Sequence, residues 1–206
     1  MRARPDDSLE KTCGTRVCGI DEAGRGPWAG PVVAAAVILS PSLVPSGIDD
    51  SKKLTASKRE ALYELIIRQA DCGVGIATAE EIDALNIWGA TKLAMQRAVA
   101  GLSAAPDYAL VDGKLTLPLP CPVQAIISGD SKSLSIAAAS IIAKVTRDRI
   151  MKQLHREFPH YGWQNNAGYG TAAHIEAIRQ HGISPHHRRS FKPIRDFLGQ
   201  LEQQTA

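Results

Sequence analysis

The chain has 206 residues, with 24 lysines and arginines against 21 aspartates and glutamates, a formal charge of +3. That length suits one α/β domain with a sizeable core and a small appendage, and the 44% hydrophobic and 22% charged fractions are ordinary for a globular protein. No apolar run approaches the roughly 18 residues that span a bilayer, and the polar start lacks the apolar segment of a signal peptide, so a cytoplasmic protein is expected.

Residues 1–15 read as a disordered polar tail, and residues 16–206 as a single domain with a C-terminal helical extension. A first strand covers residues 16–20 and ends at Asp21. A second, residues 31–39, is valine-rich and apolar throughout, as expected of a strand buried on both faces. Gly24, Gly26, Pro27 and Gly30 mark the tight connection between them. After a Pro/Ser loop, a helix starts near Ser57, where Ser57 and Glu60 have capping-box spacing. Residues 72–77 form a third strand. Thr78 and Glu81 offer a second capping box for a helical stretch reaching residue 102. Strands at 108–111 and 123–127 follow, closing at Asp112-Gly113 and at Ser128-Gly129-Asp130. A long helix fits residues 132–155, a shorter one 172–181 after the Gly168–Gly170 break, and a last one 192–203. Short links between the first three strands predict antiparallel pairing; later alternation with helices predicts parallel pairing. The expected fold class is α/β, a mixed five-stranded sheet flanked by helices.

The four cysteines, Cys13, Cys18, Cys72 and Cys121, show neither C-x-x-C nor zinc spacing, and read as incidental thiols of a reducing compartment. Cations cluster twice: Lys52, Lys53, Lys58 and Arg59, and again His186, His187, Arg188, Arg189, Lys192 and Arg195. Such clusters attract phosphates, though each also fits a solvated face.

Acidic residues follow the ends of three predicted strands: Asp21-Glu22, Asp112 and Asp130. Strand ends are where open α/β sheets place their sites. Four gathered carboxylates repel one another, and hard divalent cations such as Mg²⁺ or Mn²⁺ resolve that repulsion. Two such ions about 4 Å apart can clamp the attacking and leaving oxygens of a phosphodiester displacement. Gly24-Arg25-Gly26 can present backbone N–H groups and a guanidinium to phosphate. Tyr169, between two glycines, can stack on a sugar or base and hydrogen-bond a 2′-OH.

The string Gly19-Ile20-Asp21-Glu22-Ala23-Gly24-Arg25-Gly26-Pro27 resembles the first signature of the ribonuclease HII family. Asp50-Ser51-Lys52-Lys53-Leu54, Gly129-Asp130-Ser131-Lys132 with the following helix, Gly168-Tyr169-Gly170-Thr171, and His186-His187-Arg188-Arg189-Ser190-Phe191 resemble its later blocks, in order. The resemblance implies an RNase H-like fold. It implies metal-binding catalytic roles for Asp21, Glu22, Asp112 and Asp130. It implies 2′-OH reading by Gly24, Arg25 and Gly26, stacking by Tyr169 at an RNA–DNA junction, and backbone contacts from Lys53 and Asn86. The implied enzyme is an endonuclease that cuts the RNA strand of RNA–DNA hybrids and cleaves 5′ of ribonucleotides embedded in DNA. It would leave 5′-phosphate and 3′-hydroxyl ends by a two-metal-ion mechanism, and a monomer is expected. Ala167 stands where the family often has a basic residue, which removes one cation beside Tyr169. Two other readings are a structure-specific DNA nuclease of the same fold and a non-catalytic duplex RNA-binding module. The first has no use for a 2′-OH reader, the second none for clustered carboxylates.

Overall fold

The computed structural model describes residues 4–205. Five strands form one sheet in the order β3-β2-β1-β4-β5: β1 Val17–Ala23, β2 Val32–Ile38, β3 Asp71–Ala77, β4 Tyr108–Asp112 and β5 Val123–Ile126. The pairings β1–β2 and β2–β3 are antiparallel, while β1–β4 and β4–β5 are parallel. β2 is buried at all seven positions, as its unbroken Val/Ala/Ile run requires.

Helices cover both faces. Helix α3, Ala79–Ala100, packs Met95 and Ala98 with Ile20, Val32, Ala36 and Val111. On the other face, α4, Leu134–Glu157, packs Ile141 and Ile142 with Ala35 and Val37, and α2, Ala56–Gln69, adds Leu62 and Ile66. Each such branched aliphatic side chain contributes about 1.5–3 kcal/mol by leaving water. Gly19 sets the α4–β1 spacing, because a Cβ there would overlap the backbone of Ser135 and Ile136. The C-terminal helices α5 Trp163–Asn166, α6 Ala172–His181 and α7 Lys192–Thr205 belong to a smaller core containing Tyr161, Trp163, Ile178 and Ile194.

Three local expectations need correction. β1 runs on to Ala23, so Asp21 and Glu22 lie within the strand, paired with Ala35 and Ala34. The antiparallel partner continues past Asp21 and supplies ladder hydrogen bonds there. Helix α2 is capped by Thr55, whose hydroxyl accepts from Lys58 N, rather than by a Ser57–Glu60 box; the Thr78–Glu81 capping box is present with both bonds. The tail is not free: α1, Ser8–Cys13, docks against the start of α4. Asp6 exchanges backbone bonds with Lys132 and Leu134. Glu10 Oε1 accepts from Ser133 Oγ, Ser135 N and Ser135 Oγ at 2.6–2.9 Å. An acidic side chain meeting unpaired N–H groups at a helix N-terminus is favourable, which gives this polar segment a reason to order. Residues 1–3 of the expected tail lie outside the described residues.

Candidate active site

β1 lies at the centre of the sheet, and β4 and β5 run parallel beside it, so their C-terminal ends open on the same side. Asp21 sits on β1, Asp112 is the last residue of β4, and Asp130 lies in the 3₁₀ turn Gly129–Ser131 just after β5. Ser128, in the left-handed region at φ 54°, turns the chain into that 3₁₀ segment. Asp112 Oδ1 accepts from Gly129 N at 2.7 Å, which ties the end of β4 to the Asp130 turn. One carboxylate oxygen from each of Asp21, Asp112 and Asp130 lies within 4.8 Å of the others.

Asp21 and Asp130 are buried. Burial, followed by the charges of Glu22 and Asp112, holds the Asp21 carboxyl well above the usual carboxylate range. Burial also raises Asp112, against the stabilising N–H of Gly129. Lys52 Nζ stands 2.9 Å from Asp130 Oδ2 and 3.8 Å from Asp50 Oδ1. Burial alone would depress that ammonium, but the hydrogen bond and charge of Asp130 outweigh it and push Lys52 above its ordinary value. Three converging oxygen donors of like charge, partly balanced by one lysine, suit a hard divalent cation. Glu22 is not in the trio. Its Oε1 faces Arg25 Nη1 at 3.4 Å, and burial raises its carboxyl while Arg25 opposes the rise.

The loop after β1 forms one wall. Gly24 has φ +95°, and a Cβ there would collide with Arg147. The buried Arg147 donates to the carbonyls of Pro31, Ala167 and Ala29 at 3.0–3.2 Å. A second buried arginine, Arg188, donates to the carbonyls of Gly24, Arg25 and Gly30. Trp28 N and Ala29 N donate to Gly168 O, bringing the tyrosine turn against this loop. Tyr169 is 52% exposed, and Gly26 lies beneath its ring edge. Its carbonyl accepts from Thr171 N and from His174 Nδ1. A cleft of about 270 Å³ runs between these parts, lined by Asp21, Glu22, Gly24, Lys52, Lys144 and Tyr169 among others.

The structure thus gathers Asp21, Asp112 and Asp130, sets Glu22 beside them, and lines the adjoining wall with Gly24, Arg25, Gly26 and Tyr169. Lys53 turns away to pair with Asp49 at 3.1 Å, and its neighbour Lys52 enters the site instead. Asn86 is a helix cap: it breaks α3 at φ 57°, and its Oδ1 accepts from Trp88 N and Gly89 N. In the C-terminal basic cluster, Arg188 and His187 are buried, whereas Arg189, Lys192 and Arg195 are exposed. The spacing argument missed Lys52. The available signal was its place beside Asp50 in the second sequence block. Trp88, with the Arg25 guanidinium 4.1 Å from its ring centroid, carried no sequence signal.

A mixed five-stranded sheet that brings three carboxylates together from β1, the end of β4 and the turn after β5 is the arrangement of a nuclease of the RNase H-like fold. The ribonuclease HII family model matches residues 18–194. The ribonuclease HII of Magnetococcus marinus is 54% identical over 208 residues, covering 96% of this chain and 98% of that protein. Among solved structures, ribonuclease H2 from Pyrococcus horikoshii OT3 superposes with a TM-score of 0.78 at 29% identity, covering 91% of this chain and 99% of that one. Bst-RNase HIII in complex with Mn²⁺ shares the fold with a TM-score of 0.76 at 20% identity, covering 95% and 73%. The chain belongs to the ribonuclease HII family, and is an endoribonuclease of the RNase H type.

Proposed function

We propose that the chain hydrolyses the RNA strand of RNA–DNA hybrids and cuts 5′ of ribonucleotides embedded in duplex DNA, leaving 5′-phosphate and 3′-hydroxyl ends. The observation that carries this reading is the carboxylate trio, one member of which, Asp21, lines a single cleft together with Gly24 and Tyr169. Asp21, Asp112 and Asp130 would hold divalent metal, Mg²⁺ or Mn²⁺ and two ions when substrate is present, with Glu22 joining once it leaves Arg25. When bound, such metal supplies an acidified water and charge stabilisation at the phosphate.

The chain's own residues do the rest. Lys52 offsets the carboxylate charge before metal arrives and offers a cation to the phosphate. The Gly24–Gly26 backbone, braced by Arg147 and Arg188, presents polar groups to a 2′-OH. A site built to hydrogen-bond a hydroxyl rejects the analogue lacking it, which accounts for refusal of pure DNA. The Tyr169 ring offers a stacking face for the sugar at an RNA–DNA junction, and no cation from Ala167 assists it. Action as a monomer in a cytoplasmic setting, where the four free cysteines stay reduced, is part of the same proposal.

The test is cleavage of a duplex carrying one ribonucleotide, beside all-DNA and all-RNA duplexes, with end mapping of the products. Cutting 5′ of the ribonucleotide with 5′-phosphate ends is expected. Equal cutting of the all-DNA duplex would overturn the reading in favour of a DNA nuclease.

A further inference from the structure

Trp88 is 55% exposed, although the helix carrying it buries Ala90, Thr91 and Ala94 within the next six residues. Its ring lies under the Arg25 guanidinium, 4.1 Å from the centroid. Its backbone N–H is held at 2.9 Å by Asn86 Oδ1, at the point where α3 breaks into the left-handed region. A break with φ 57° at a non-glycine residue is unusual, and Asn86 Oδ1 caps the resumed helix by accepting from Trp88 N and Gly89 N.

The other partner of Arg25 is Glu22, at 3.4 Å. That is longer than a good N–H···O bond, so the pair is loosely made. Glu22 is also the carboxylate that metal would claim. A guanidinium stacked on an aromatic face keeps its in-plane N–H groups free for phosphate or hydroxyl oxygens. We propose that Trp88 is a positioning residue: its ring holds Arg25 over the cleft, so that when Glu22 turns to metal the Arg25 N–H edge stays aimed at substrate. The proposal rests on the nuclease reading above, and Asn86 serves it by fixing Trp88.

The test measures binding of a duplex with one embedded ribonucleotide by fluorescence anisotropy, in an Asp112→Asn background so that no cleavage intervenes. The arms are Trp88→Ala, Trp88→Phe, Arg25→Ala and the Trp88→Ala/Arg25→Ala double variant, each added to that background. Trp88→Ala should weaken binding roughly two- to five-fold, the worth of an accessible cation–π contact, and Trp88→Phe should restore most of it. In the Arg25→Ala background, Trp88→Ala should add nothing. In the active enzyme the same changes should raise KM more than they lower kcat. A Trp88→Ala effect of equal size with and without Arg25 overturns the proposal, as does no effect at all. If Trp88→Ala melts well below the parent, Trp88→Phe decides: loss as severe as alanine's, in a variant melting like the parent, also overturns it. Should the parent fail to prefer the ribonucleotide duplex over all-DNA, the proposed ribonucleotide specificity itself falls. A parent that discriminates, with a silent Trp88→Ala, sinks the Trp88 role alone.

Discussion

Arg188 belongs to a run of basic residues that reads as a phosphate-binding patch, yet its side chain is fully buried and aimed at backbone. Its Nε and Nη2 donate to Gly30 O at 3.0 and 2.8 Å, Nη1 donates to Arg25 O at 2.9 Å, and Nη2 also meets Gly24 O. Burial, then the nearby Arg147, pulls it down to about 9, so it stays charged at neutral pH. Methionine would fill much of the space and leave three carbonyls without this donor. A buried acceptor left unmet costs about 1–3 kcal/mol, and three of them, less the relief of no longer burying a guanidinium, come to about 3–5 kcal/mol in all. In a domain of this size each kcal/mol moves Tm by about 2–4 °C, so Arg188→Met should melt roughly 6–20 °C below the wild type. Lysine, with a point charge in place of a fork, should recover only part. Thermal melting by circular dichroism reads the first effect, and hybrid-duplex affinity against salt reads the second. A lost phosphate contact would flatten the log–log salt slope by about 0.9; the slope of a folded Arg188→Met should not change. A variant that melts with the wild type and loses that slope would refute the structural role.

Three further outcomes are expected. Asp21→Asn should abolish cleavage, and should raise the Tm of metal-free protein at pH 8. Its carboxyl is held well above the ordinary 3.8, so the folded state binds that proton more tightly and loses stability as pH climbs from about 4 through the raised value; a metal-free Tm with the same pH dependence in the variant would contradict this. Lys52→Gln should lower kcat and tighten Mg²⁺ binding, because a counter-charge 2.9 Å from Asp130 disappears, and unchanged Mg²⁺ affinity by calorimetry would remove Lys52 from the metal site. Tyr169→Ala should cost about 1–3 kcal/mol in kcat/KM on a single-ribonucleotide duplex and Tyr169→Phe about 0.5–1.5 kcal/mol, with smaller losses on long hybrid; equal losses on both substrates would mean the tyrosine only packs.

Periodicity in the chain carried most of the architecture. The valine run of β2, the Thr78–Glu81 box and the Asp112 and Asp130 positions at strand ends are local signals, and local physics reproduces them. The strand pairing came out as expected, yet linker length accounts only for β1–β2: β2 and β3 pair antiparallel across a connection that contains α2, and β4 and β5 pair parallel with no helix between them. The start of α2 was misread by two residues because threonine and serine both cap well.

What sequence by itself determined, then, is the order of elements, the identity of the acidic residues and the family. The chain's tertiary structure decided which of two adjacent cations serves the site. Ser51–Lys53 form a 3₁₀ turn, which rotates successive side chains by about 120°, so Lys52 meets Asp130 while Lys53 returns to Asp49. It likewise separated buried Arg188 from exposed Arg189, docked the polar α1 through Glu10, and turned Glu22 toward Arg25 and Trp88. Each of these depends on a partner far away in the chain or on the direction of one bond, and neither is written in residue type or spacing.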